Sequence, residues 1–189
     1  MKIILTAFSS FGGLTTNSSE EVLNNLPSQY QKVVLPVSYH RASQIIEELI
    51  LSNQPDLLIC LGQAGSSVKI RLEQGAYNEA NASLPDEDHI TLTHQPLIIQ
   101  GEPLLQTHLP LKEWSYDLAR QGFPVEISSD PGRYVCNATY YRALSITSNV
   151  IFIHLPYYEG QVQQVPTLPL ANMVATVEAI LDIVKHHPC

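Results

Sequence analysis

The chain has 189 residues, 44% of them hydrophobic, enough for one sizeable core, so a single domain over 1–189 is expected. Its formal charge is −8, and its ten Lys and Arg residues are scattered singly. No basic stripe is available to neutralise phosphates, which excludes nucleic acid as the main partner. No run approaches about 18 consecutive apolar residues, so no membrane span is expected.

In chain order, apolar runs alternate with amphipathic segments. The run 2–8 reads as a first core strand; it is too short for a signal peptide, and nothing directs the protein out of the cytoplasm. Residues 18–25 follow as a helix, 32–37 as a strand and 42–52 as a second helix, where Ile45, Ile46, Leu49 and Ile50 fall on one face. A buried strand over 56–61 comes next. From Val68 to Glu73 the pattern alternates strictly, with Lys69, Arg71 and Glu73 on one face and Val68, Ile70 and Leu72 on the other. The stretch 74–110 carries Pro85, Pro96, Pro103 and Pro110 with little periodicity and reads as an extended excursion or a pair of edge strands over the sheet. A helix over 111–120, a strand over 125–127, a helix over 138–145, a strand over 149–154 and a helix over 172–186 complete the chain. Such alternation predicts an α/β fold, a sheet covered by helices on both sides, with its site at the carboxyl ends of strands. Phe8, Leu61 and His154 stand at such ends.

Three cysteines without regular spacing, Cys60, Cys136 and Cys189, suggest free thiols in a reducing compartment rather than a disulfide frame or a zinc site. Cys60 ends an apolar run and reads as a small buried hydrophobe; Cys189 is terminal and expected to be mobile. Cys136 differs. The turn-rich Ser128-Ser129-Asp130-Pro131-Gly132-Arg133-Tyr134 places it at the start of a helix, where unpaired N–H groups and the helix dipole favour thiolate. Those N–H groups also suit an oxyanion. His154, ending a strand, supplies the base that a Cys–His nucleophile pair needs. Glu73 is the acid best placed to orient that histidine.

Two glycine-containing loops follow strands. Phe8 and Phe11 flank the first and are candidates to line an apolar pocket, and Gln63 in the second offers both a donor and an acceptor for a lactam or amide. Neither loop has a phosphate-binding pattern. His89, His94 and His108 are too far apart for a metal site and His186-His187 reads as a solvated doublet, so neither metal nor cofactor is expected.

Several blocks together resemble the pyroglutamyl-peptidase I family of cysteine peptidases, in family order over nearly the whole chain. They are Phe8-Ser9-Ser10-Phe11-Gly12-Gly13 with Asn17-Ser18, Leu61-Gly62-Gln63-Ala64-Gly65, and Leu72-Glu73 followed by Asn78. The nucleophile block Gly132-Arg133-Tyr134-Val135-Cys136-Asn137 and the histidine block Phe152-Ile153-His154-Leu155-Pro156 complete the set. The resemblance implies a three-layer α/β/α globule with a twisted, mostly parallel mixed sheet, often assembled as a homo-oligomer such as a tetramer or dimer. It implies hydrolysis of the amide bond after an N-terminal pyroglutamyl residue of small peptides through a thioester, with Cys136, His154 and Glu73 as catalytic residues. Phe8, Phe11, Asn17 and Gln63 would contact the substrate. The chain departs from the family where Ser9-Ser10 replaces a Glu-Pro pair and where Ser83 stands in place of an arginine. Those departures carry the alternative of a non-catalytic or altered-specificity binder of pyroglutamyl or related acyl groups on the same scaffold.

Overall fold

A computed structural model describes residues 1–65 and 67–186; His187 and Cys189 lie outside them. The elements in order are β1 (Ile3–Phe8), α1 (Ser18–Asn25), β2 (Gln31–Leu35), α2 (Tyr39–Asn53), β3 (Leu57–Gln63), β4 (Ile70–Glu73) and β5 (Gly75–Tyr77). Then come β6 (Leu104–Gln106), α3 (Leu111–Arg120), β7 (Val125–Ser128), α4 (Val135–Leu144), β8 (Val150–Leu155) and α5 (Leu170–His186). Six strands form one sheet in the order β2-β1-β3-β8-β4-β7. Every neighbouring pair is parallel except β4–β8, which is antiparallel. The expected mostly parallel mixed sheet between two helical layers is what forms.

The alternation of side chains along each strand sorts the core into two halves. Leu5, Ala7, Ile59, Leu61, Ile70, Leu72, Ile151 and Ile153 pack with α1, α3 and α5. Ile4, Phe8, Leu58, Cys60, Val150 and Phe152 pack with α2 and α4. The helices expected over 18–25 and 111–120 coincide with α1 and α3. α2 starts earlier than its apolar stripe because the Ser38 hydroxyl caps it, accepting from Arg41 N at 3.1 Å. α4 also starts earlier: Ala138 N donates to Tyr134 O at 3.1 Å, so Cys136 lies inside the first turn rather than ahead of it.

The excursion after β4 differs from a pair of edge strands over the sheet. β5 and β6 pair with each other in a separate two-stranded antiparallel sheet, and the segment lies along α4. Asn137 holds it there. Its side-chain amide donates to Tyr77 O and Glu79 O at 2.9 Å, and its oxygen accepts from Tyr77 N at 2.8 Å. Tyr141 adds a bond to Glu102 O at 2.7 Å. With this cover, nearly every residue of α4 is buried.

Candidate active site

Strand alternation brings the site together on the α2/α4 side of the sheet. Gly62 on β3 is the register partner of His154 on β8, and Arg71 on β4 pairs with His154 from the other side. Gly62 is required here because a side chain would collide. A Cβ at this position would lie 2.6 Å from the Phe152 ring and 3.1 Å from Cys136 Sγ. One glycine therefore marks where the thiol from α4 meets the histidine strand.

His154 and Glu73 are 3% and 0% exposed, and His154 Nδ1 is 2.8 Å from Glu73 Oε1. An ionised carboxylate only accepts, so Nδ1 carries the proton and Nε2 is left with its lone pair for the thiol side. Tyr140 from α4 fixes the acid's backbone, its hydroxyl donating to Glu73 O at 3.0 Å. Phe152 packs tilted against the imidazole with centroids 4.8 Å apart and is itself backed by Phe8 at 6.4 Å. Glu73 and most of Arg71 on β4 thus face the interior, beneath α4.

Cys136 is half-buried. Among the described residues its sulfur makes no hydrogen bond to His154. Burial pushes the thiol up to about 12, with the charge of Glu73 adding to the rise, while its own backbone N–H and Arg71 pull it down. Desolvation thus acts against the pull of the N–H groups at the helix start. A thiol raised by burial calls for a base to take its proton. The N–H groups of Val135, Cys136 and Asn137, ahead of the first helical bond, face the same end of α4.

The other predicted residues surround this centre unequally. Phe8 is 2% exposed, an anchor in the core behind Phe152. Phe11 reaches the site, its ring 6.1 Å from Tyr134, which stands two residues before the cysteine and packs edge-on against Tyr39 at 5.6 Å. Asn17 caps α1, accepting from Ser19 N at 2.9 Å and donating to Ser9 O at 3.0 Å, so it shapes the Phe8–Phe11 loop. Gln63 Oε1 accepts from Ser18 N at 2.8 Å and from Gln161 Nε2 at 2.6 Å. Both donors fall on its oxygen, so among the described residues the amide nitrogen of Gln63 remains to donate. Ser83 is exposed in the loop after β5.

Sequence reasoning overlooked Gln161, Tyr134, Tyr39 and Arg71 as neighbours of the site. Arg71 had a signal, the strict alternation that puts it on the face of Glu73. Gln161 had none, since its loop after β8 carries no periodicity; it is placed by its bonds to Gln63 and, at 3.1 Å, to Thr16 O. Among the described residues no group of three or more His, Cys, Asp or Glu is arranged to hold a metal ion, and no helix is long and apolar enough to cross a membrane.

A sequence model of the family described as Pyroglutamyl peptidase matches residues 1–186. A pyrrolidone-carboxylate peptidase of Thermosipho africanus is 33% identical over 99% of this chain and 98% of its own length. Pyrrolidone-carboxylate peptidase 1 of Streptococcus pneumoniae is 30% identical over 97% of this chain and 92% of its own. Among solved structures, a mutant pyrrolidone carboxyl peptidase from P. furiosus superposes with a TM-score of 0.92 at 26% identity, covering 100% of both chains. Pyroglutamyl peptidase I from Bacillus amyloliquefaciens does so at 0.88 and 29% identity, over 94% of this chain and 91% of its own.

Proposed function

This chain belongs to the pyroglutamyl peptidase family of cysteine peptidases, and we propose that Cys136, His154 and Glu73 carry its hydrolysis of the amide bond after an N-terminal pyroglutamyl residue. The observation that supports this most is the buried 2.8 Å His154–Glu73 pair on the strand beside the thiol at the start of α4.

The reaction follows from the protonation states. With the thiol held high by burial, Cys136 passes its proton to His154 Nε2 as the sulfur attacks the pyroglutamyl carbonyl carbon. The C–S bond forms and the carbonyl electron pair moves to oxygen, where the free N–H groups of the first turn of α4 receive it. The imidazolium, held by Glu73 through Nδ1–H, then gives its proton to the leaving amine, and the C–N bond breaks to a thioester. Water attacks the thioester, His154 takes its proton, and the pyroglutamate and the protonated thiol are released. Glu73 stays ionised throughout and stabilises the imidazolium.

The apolar wall of Phe11, Tyr134 and Tyr39 suits a small lactam ring, with Phe8 as the core anchor of that wall and Asn17 as its loop brace. The free amide nitrogen of Gln63 suits a carbonyl acceptor on the substrate. The partner is therefore a small peptide with a blocked N-terminus. Cys60 and Cys136 are both free thiols, which suits the reducing cytoplasm.

The test is release of a fluorescent amine from a pyroglutamyl amide under reducing conditions, wild type beside Cys136→Ala. Release by wild type alone, with both proteins folded, is expected. Equal release by the variant would remove Cys136 from the mechanism, and none from folded wild type would remove the activity.

A further inference from the structure

The His154–Glu73 pair has a third member. Arg71 is the register partner of His154 across the antiparallel β4–β8 ladder and shares the face of Glu73. Its Nε lies 3.5 Å from Glu73 Oε1, the same oxygen that meets His154 Nδ1 at 2.8 Å. The Arg71 side chain is 22% exposed beside a wholly buried carboxylate. Among the described residues, Arg71 Nε and Glu73 Oε2 are both buried without a hydrogen-bond partner. A purely structural ion pair would be expected to satisfy these atoms, since burying charged groups unpaired is unfavourable. Here one oxygen is shared between a permanent cation and a histidine, and the other, Oε2, is left without a partner among the described residues.

We propose that Arg71 is a positioning residue for the reaction: its guanidinium keeps buried Glu73 ionised beneath His154 and opposes excess stabilisation of the imidazolium. This rests on the Cys136–His154–Glu73 assignment above. Burial alone favours a neutral carboxylic acid. A protonated Glu73 would lose its role as a pure acceptor, Nδ1 would no longer be held as the donor, and Nε2 would be lost as the base. An arginine, which does not deprotonate, prevents this. The same cation sets a limit on how strongly the acid can hold a proton on His154, so the ring returns to neutral after each transfer. It also pulls the Cys136 thiol down.

Other titratable groups around the pair do not substitute for it. Cys136 and Tyr140 face it from α4, and Cys60 from β3. Glu126, the register partner of Arg71 on β7, has Lys69 at 3.9 Å, and Asp130 in the loop after β7 is bound by Arg133 at 2.6 Å.

The experiment is the pH profile of kcat/KM on a pyroglutamyl amide for wild type, Arg71→Gln and Arg71→Lys, with the ring resonances of His154 followed by NMR over the same range. Losing the cation lets both Glu73 and His154 hold protons to higher pH, so the acidic limb of Arg71→Gln moves upward. The loss at pH 6 is expected to be about tenfold larger than at pH 8, the equivalent of about one pH unit. The His154 titration moves the same way, and Arg71→Lys restores most of both. Arg71→Met serves if the glutamine variant fails to fold. A loss uniform across pH, with the His154 titration unmoved, would overturn the proposal. Folded wild type that releases no amine, while Arg71→Gln still moves the His154 titration, would overturn the reaction and leave the coupling of Arg71 standing.

Discussion

The two faces of the one sheet are built from neighbouring residues and do different work. Toward α1, α3 and α5 the strands present Leu5, Ile59, Leu61, Leu72, Ile151 and Ile153, an unbroken apolar surface. Toward α2 and α4 the very next residues are Thr6, Cys60, Gly62, Arg71, Glu73 and His154, and the helix above supplies Cys136 and Tyr140. A period of two residues therefore separates stability from chemistry. Polar groups on the second face are tolerated because α4 and the β5–β6 arm shield them, and because the shielding itself raises the thiol and strengthens the Glu73–His154 contact.

Glu73→Gln is expected to do the most damage to the chemical face. The amide keeps the shape but not the charge, so the Nδ1–H tautomer and the imidazolium both lose their partner. We expect kcat to fall on the order of 10²–10⁴-fold, with KM little changed and the folded state retained by circular dichroism. A loss in KM alone would place Glu73 in binding instead. The matching change on the other face is Leu72→Ala, one residue away. It removes buried apolar volume, and we expect denaturant unfolding to show a destabilisation of about 2–5 kcal/mol while kcat of the folded enzyme stays within about twofold. If kcat fell with stability, the two faces would not be separable.

Gly62→Ala sharpens the boundary between the faces. The new methyl would meet the Phe152 ring at 2.6 Å and Cys136 Sγ at 3.1 Å, so Phe152 must shift and carry the imidazole with it. Overpacking of this kind destabilises by about 1–3 kcal/mol, and activity is expected to fall further than the loss of folded protein explains. A variant with wild-type kcat would show that the glycine serves only packing.

Most of this division was legible in the sequence. The alternation from Val68 to Glu73 gave β4 its two faces, and a thiol beside a turn ahead of an apolar run placed Cys136 at a helix start. What alternation does not carry is which face lies under a helix. The face that holds Arg71 and Glu73 is covered by α4, whose Tyr140 hydroxyl donates to Glu73 O, and alternation alone does not reveal that cover. For the same reason the burial of the thiol is not visible in sequence: a helix start is local, whereas desolvation depends on what packs around it. The arm's path along α4 hangs on one side chain, Asn137, and no periodic pattern announces such a contact.

The smallest expected effect concerns Cys60 and Ile59, adjacent on β3 and facing opposite ways, both wholly buried. Burial pushes the Cys60 thiol from 9.0 up to about 12. A group whose folded value is raised contributes stability that is complete below the unfolded value and lost as pH climbs toward the folded one. The Tm advantage of wild type over Cys60→Ala should therefore shrink between pH 9 and pH 11, because only the wild-type unfolded chain gains by ionising this thiol. The raised tyrosines Tyr39, Tyr134 and Tyr141 titrate in both proteins and cancel in the difference, while Cys136 and Tyr140, which feel the charge of Cys60, titrate above this range. The advantage over Ile59→Val should stay constant across the same range, since nothing at that position ionises. A constant gap for Cys60→Ala as well would mean that the chemical face of the sheet is no less hydrated at Cys60 than the unfolded chain, and the explanation of the raised Cys136 thiol by burial would fall with it.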